Sequence, residues 1–199
     1  MNADTNRSSG LDPRFVFLQD FFKRPREVGS IIPSSRFLER RIVRCAQLLD
    51  ARTVVELGPG TGGTTRALLR AMAPSSRLLV IEINPRFAKL IRDSVHDPRL
   101  IVYPGNATQI AEILSQNALD APDVVLSGIP FSTMNHAMGI EILRAVHDSL
   151  APGGRFVAYQ VRDRVETLGK KVFGSPRIQT ELLNVPPMRI FSWEKPGRP

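Results

Sequence analysis

The stretch Thr53-Val54-Val55-Glu56-Leu57-Gly58-Pro59-Gly60-Thr61-Gly62-Gly63 constrains this chain more than any other. A short run of buried-strand character passes straight into a turn with glycine at alternate positions. Glycine supplies the positive φ that a sharp strand-to-helix turn demands and lets backbone approach a ligand. A helical pattern over 61–73 follows, and the unit then repeats. Residues 78–82 read as a strand before a helix over 85–95, whose first-turn Pro85 is tolerated because that N–H has no intrahelical partner. Residues 100–103 precede a helix over 107–116, and 123–127 precede one over about 133–149. Ala151-Pro152-Gly153-Gly154 turns into a strand over 155–159. Contiguous apolar strands spaced by helical crossovers predict an α/β fold with a parallel, doubly wound sheet of the Rossmann-like kind. The end differs: 179–183 and 188–193 are strand-like around Asn184-Val185-Pro186-Pro187, which predicts a closing antiparallel hairpin and seven strands in all.

Residues 1–13 are polar and expected to be mobile. Arg14-Phe15-Val16-Phe17-Leu18-Gln19-Asp20-Phe21-Phe22-Lys23-Arg24 is the next segment, and Pro25 ends it. Wound as a helix, it gathers Phe15, Phe17, Leu18, Phe21 and Phe22 within an arc of roughly 160° and leaves Val16 among the polar side chains. Ile31-Ile32-Pro33 is a turn, and Ser34 or Ser35 caps a helix over 35–50 with Phe37, Leu38, Ile42, Val43 and Leu48 as apolar positions. The expected partition is therefore 1–33 as tail and amphipathic helix, and 34–199 as the main domain.

A chain of 199 residues fits one such domain. One cysteine, Cys45, excludes an internal disulfide, and its helical position suits packing. No apolar run reaches the ~18 residues a membrane span needs, and no secretory signal opens the chain. The formal charge of +8 is unevenly placed. Residues 51–150 are neutral, whereas 1–50 carry 9 basic against 6 acidic groups and 151–199 carry 9 against 4. A neutral core between basic flanks points to an acidic partner, nucleic acid or anionic membrane, with mere solubility as the bland alternative.

Glu56 stands before the glycine turn, Glu82 closes the second strand, and Asn106 follows the third. Carboxyl ends of consecutive parallel strands are where doubly wound sheets bind ligands. An acid at Glu82 suits two ribose hydroxyls, and an amide at Asn106 suits an adenine. The glycine string also permits a dinucleotide dehydrogenase, since Gly63 completes that fingerprint too. Glu56 and the tail hairpin favour a different class. On V-V-E-L-G-P-G-T-G the chain resembles the class I S-adenosylmethionine-dependent methyltransferases over about 30–199. The resemblance implies that Glu56, Gly58, Gly60 and Gly62 line the methionine part of S-adenosylmethionine, with Pro59 and Thr61 between them. It implies that Glu82, with Ile83, binds the ribose and that Asn106 and Ala107 border the adenine. The family often has an acid at position 106, so Asn106 is a departure.

The fourth strand runs into Ser127-Gly128-Ile129-Pro130-Phe131. Adenine methyltransferases carry N-x-P-F or N-x-P-Y there, and Ser127 or Gly128 replaces that Asn. The segment resembles the bacterial phospholipid N-methyltransferases, which convert phosphatidylethanolamine stepwise to phosphatidylcholine. So do F-L-Q-D-F-F-K-R-P-R-E-V-G-S-I-I-P-S-S near the start and N-V-P-P-M-R-I-F near the end. That resemblance implies a peripheral enzyme on the cytoplasmic face of the cell membrane, docked on anionic lipid. Phe15, Phe17, Leu18, Phe21 and Phe22 would enter the interface, while Arg14, Lys23, Arg24 and Arg26 meet phosphates. The same stripe packed on the sheet as a core helix is the alternative.

Ser127, the Gly128 and Ile129 carbonyls, and Tyr159 are the expected groups that orient the amine and pass its proton to water. Pro130, Phe131, Arg162 and Arg189 are the expected substrate contacts, with Phe131 and Tyr159 facing the methylated ammonium at about 0.5–2 kcal/mol. His96, His136 and His147 have no ligand spacing, so no metal is expected. A monomer without a nucleic-acid partner completes the expectation. An RNA or DNA adenine methyltransferase and a catalytically silent membrane-bound protein are its rivals.

Overall fold

A computed structural model describes residues 35–197. The amphipathic segment over 14–24 lies outside the described residues. The element order is α1 (Arg36–Ala46), β1 (Thr53–Leu57), α2 (Gly63–Ala71), β2 (Arg77–Glu82), α3 (Pro85–Ser94) and β3 (Leu100–Pro104). It continues with α4 (Ile110–Gln116), β4 (Val124–Ser127), α5 (His136–Ser149), β5 (Arg155–Gln160), α6 (Arg164–Phe173), β6 (Arg177–Glu181) and β7 (Met188–Glu194). The seven strands form one sheet in the order β3-β2-β1-β4-β5-β7-β6. The first five strands are parallel neighbours, and β7 runs antiparallel to both β5 and β6. The expected doubly wound sheet with a closing hairpin is what forms.

The apolar runs are contiguous because both faces of the sheet are covered. Successive side chains of a strand point to opposite faces. Val55, Leu57, Leu79, Ile81 and Val125 join one core with residues of α4, α5 and α6. Val54, Leu78, Val80, Val124 and Leu126 join the other core with residues of α1, α2 and α3. The Ser35 hydroxyl caps α1 by accepting from Leu38 N at 3.2 Å, and Asn84 and Asn135 cap α3 and α5 in the same manner.

Several boundaries depart from the sequence reading. The first helix stops at Ala46, where Gln47 turns left-handed at φ 51°, and 48–50 form a separate 3-10 turn. β6 lies two residues earlier than expected, because Leu182 and Leu183 belong to the turn. α6 was not foreseen. It buries Val165, Leu168 and Gly169 on one face, and Gly169 lies directly against the Trp193 ring.

Candidate active site

The site is built where β1, β2, β4 and β5 end side by side. The β1–β2 ladder continues one residue past β1, with Gly58 N donating to the Ile81 carbonyl at 3.0 Å. Gly128 N donates likewise to the Leu57 carbonyl at 2.9 Å. These bonds draw the turns after β1 and β4 together. A Cβ on Gly58 would lie 2.9 Å from Ile129 Cγ1, and Gly58 has φ +64°, so both space and backbone require glycine. A Cβ on Gly128 would lie 2.6 Å from the Tyr159 hydroxyl and 2.7 Å from the Gly58 carbonyl oxygen. Gly128 thus fits a narrow slot between the glycine turn and the Tyr159 hydroxyl that leaves no room for a side chain.

Two buried carboxyl groups lie near Tyr159. Glu56 on β1 is fully buried, and Thr65 donates its hydroxyl to Oε2 at 2.6 Å. Among the described residues no donor reaches Oε1. Burial, opposed by Thr65 and reinforced by nearby Glu82, raises the Glu56 pKa to about 8. Glu82, also fully buried, accepts from Asn84 N at 2.8 Å and from Gly60 N at 3.2 Å. Its pKa is raised to about 7 by burial, although backbone N–H groups of Asn84, Gly60 and Ile83 oppose the shift. Glu82 therefore ties the end of β2 to the glycine turn, with carboxylate lone pairs left over for further donors.

Tyr159 on β5 closes the slot and donates to Thr64 Oγ1 at 3.3 Å. Burial and the charges of Glu56 and Glu82 push its pKa up, so the phenol keeps its proton. Ser127 is fully buried and accepts from Ile129 N at 3.2 Å. The Ile129 carbonyl accepts from the Gln160 amide. Thr64, Thr65 and Gln160 escaped the sequence reading. The Thr-Thr pair directly after Gly62-Gly63 was the available signal, since it opens the helix behind the turn.

Of the expected substrate contacts, Phe131 is turned into the core. The ring of Phe131 is wholly buried in a core cluster and lies with Met134 and Leu168 around Gly139, so it does not line the slot. Pro130 is partly buried, and its carbonyl accepts from the Thr133 hydroxyl at 2.8 Å. Asn106 is partly buried and caps the 3-10 turn of 107–109 by accepting from Thr108 N at 3.1 Å. Ala107 is buried beside it. Ile83 and Pro59 are partly buried and Thr61 is exposed. Arg162 is exposed, and Arg189 on β7 is half-exposed with Asp163 at 4.0 Å.

S-adenosylmethionine fits the residues present. The unpartnered Glu56 Oε1 is the acceptor that the cofactor's cationic amino group requires. Gly60 offers backbone with nothing within 4 Å of where a side chain would begin, and Glu82 carries spare acceptor capacity for hydroxyls. These residues make the carboxyl edge of the Rossmann-like sheet the candidate cofactor site.

Comparison with known proteins agrees. The ribosomal RNA adenine dimethylase family matches residues 23–121. The ornithine lipid N-methyltransferase of Singulisphaera acidiphila is 36% identical over 143 residues, 71% of this chain and 74% of that protein. The ribosomal RNA small subunit methyltransferase A of Caulobacter vibrioides is 38% identical over 95 residues, 47% of this chain but only 34% of its own length. An O-methyltransferase from Bacillus cereus, solved in complex with S-adenosylhomocysteine, shares the fold at TM-score 0.67 with 14% identity, over 94% of each chain. The chain belongs to the class I S-adenosylmethionine-dependent methyltransferases.

Proposed function

We propose that the chain N-methylates the primary amine of a membrane aminolipid, with phosphatidylethanolamine and its mono- and dimethyl forms as substrates towards phosphatidylcholine. The observation that carries this reading is the 36% identity to a lipid N-methyltransferase over most of that protein's length. The site is compatible with it. Ser127 or Gly128 stands where adenine methyltransferases carry their Asn, and neither brings an amide side chain to the Tyr159 hydroxyl, which donates to Thr64 Oγ1. Residues 1–33 serve as the membrane-docking segment and 34–199 as the catalytic domain, acting as a monomer on the cytoplasmic face of the membrane.

S-adenosylmethionine, when bound, supplies a sulfonium methyl group for in-line displacement by a nitrogen lone pair. The chain supplies geometry and a dry pocket. Glu56 pairs with the cofactor's ammonium, and the glycine turn and Glu82 fix its other end. The Gly128 and Ile129 carbonyls orient the amine, and Tyr159 faces it with a neutral hydroxyl and ring. Since Tyr159 holds its own proton, the amine loses its proton to water. Arg162 and Arg189, at and after the end of β5 and the start of β7, meet the lipid phosphate.

A second reading, methylation of ribosomal RNA adenine, is favoured by the family match over 23–121. That match ends before β4 and its following turn, so it covers the cofactor half of the site and not the slot. The discriminating experiment supplies radiolabelled S-adenosylmethionine with phosphatidylethanolamine vesicles, ornithine-lipid vesicles or small-subunit ribosomal RNA. Label in phosphatidylethanolamine is expected. Label in ornithine lipid alone would move the substrate within the aminolipids, label in RNA alone would overturn the lipid reading, and label in none would favour a silent binding protein.

A further inference from the structure

We infer that the tip of the β6–β7 hairpin and the N-terminal turns of α1 form a second membrane-docking element, which inserts aliphatic side chains into an anionic bilayer at the edge where the active site opens. The tip exposes Leu182 (72%), Leu183 (62%) and Val185 (79%), an apolar group within four residues. Scattered exposed apolar side chains are ordinary, but a cluster on a projecting turn has no folding role and marks an interaction site.

The tip is held rather than loose. Asn184, 3% exposed, accepts from Ser35 N at 3.0 Å and donates to the Pro186 carbonyl at 2.8 Å. Glu181 accepts from Leu183 N at 2.9 Å and from Arg41 Nε at 2.7 Å. These bonds fasten the turn to the start of α1, so the tip and the first turns of that helix present one surface, while its far end lies beside Arg155 at the start of β5. On α1, Arg36, Arg40 and Arg44 repeat every fourth residue and form one exposed stripe, with half-exposed Phe37 beside it. None of the three arginines makes an ion pair among the described residues. Together with Arg70 of α2 they line a groove between the two helices, where Glu39 is the one acidic group.

An aliphatic tip beside a stripe of unpaired arginines is the chemistry of an interfacial anchor: alkyl groups enter the acyl region and guanidinium groups meet phosphates. A nucleic acid would satisfy the arginines but offers no environment for Leu182, Leu183 and Val185. The orientation is productive. Gln160 pairs with Arg189 and Glu181 with Met188, so the tip projects from the same edge of the sheet as the carboxyl ends of β1, β2, β4 and β5. That the docked edge delivers a lipid amine rests on the proposed function; the docking itself does not.

The test is flotation of the full-length protein with phosphatidylcholine vesicles containing phosphatidylglycerol and no aminolipid, so that binding is read apart from catalysis. Leu182→Asp with Leu183→Asp is expected to weaken vesicle affinity about tenfold or more, as is Arg36→Glu with Arg40→Glu, the latter effect fading at high salt. Unchanged thermal midpoints establish that both pairs fold, and the exposure of all four side chains makes that the expected result. Wild-type protein that ignores these vesicles, or paired variants that bind as tightly as wild type, would overturn the inference. So would a loss confined to ribosomal RNA binding. If vesicle binding falls in the variants while wild type methylates no lipid, the docking surface stands and the proposed substrate falls.

Discussion

Thr65 donates its hydroxyl to one oxygen of the buried Glu56 carboxyl group at 2.6 Å, and no described residue serves the other oxygen. This half-satisfied carboxyl group is costly to keep in an interior, which argues that the missing partner is a ligand cation. Glu56→Gln keeps an acceptor for Thr65 but loses the charge. Calorimetry should show S-adenosylmethionine affinity reduced about tenfold to a hundredfold, the range for a lost hydrogen bond to a charged group. Unchanged affinity would remove Glu56 from the cofactor site.

The same burial predicts a pH dependence of folding without cofactor. The pKa of Glu56 is raised from 4.5 to about 8 and that of Glu82 from 4.5 to about 7. Between pH 4.5 and 8 the folded chain thus holds more protons than the unfolded chain, so stability falls as pH rises and levels off above 8. Denaturant titrations at acidic and alkaline ends of that window should differ by a few kcal/mol, on the order expected for shifts of this size. Glu56→Gln should flatten the slope and raise alkaline stability. Pairing the cofactor's cation with Glu56 should also release protons near neutral pH, visible as a buffer-dependent binding enthalpy.

Gly128→Ala should cripple turnover. Its methyl group would meet the Tyr159 hydroxyl at 2.6 Å and the Gly58 carbonyl at 2.7 Å, and backbone cannot swing away as a side chain can. A loss of 1–3 kcal/mol in stability, roughly the cost of overpacking, should accompany the lost activity. Tyr159→Phe added to Gly128→Ala relieves one contact but not the other, so rescue should be partial in steady-state assays.

The Phe-rich segment over 14–24 can be separated from the rest by Phe21→Asp with Phe22→Asp. Sedimentation with anionic vesicles should show weakened binding, as two aromatic side chains leave the interface. Binding equal to wild type would reassign the stripe to packing.

Much of the fold was legible because parallel strands covered on both faces demand uninterrupted apolar runs, and Val54-Val55 and Leu78–Ile81 supply them to opposite cores. The glycine turn and its two acids were legible for a related reason: positive φ and buried charge leave few residue choices. α6 was not, because its sequence is rich in charge, and the seat of Val165, Leu168, Gly169 and Phe173 is decided by Phe156 and Trp193 from distant strands. The direction of the Phe131 ring was equally hidden. Strand alternation stops at Ser127, and the 3-10 turn beyond it carries the ring into the core instead of the slot. Gln160 and Thr65 gain their roles only from partners brought near by the folded sheet.

The most direct measurement is the headgroup mass of phosphatidylethanolamine after incubation with S-adenosylmethionine and either wild-type protein or Glu56→Gln. The account predicts headgroups heavier by successive methyl groups with wild type, and a sharply reduced yield with Glu56→Gln at the same cofactor concentration. Unmodified phosphatidylethanolamine in the presence of methylated ribosomal RNA, or a yield indifferent to Glu56, would contradict it.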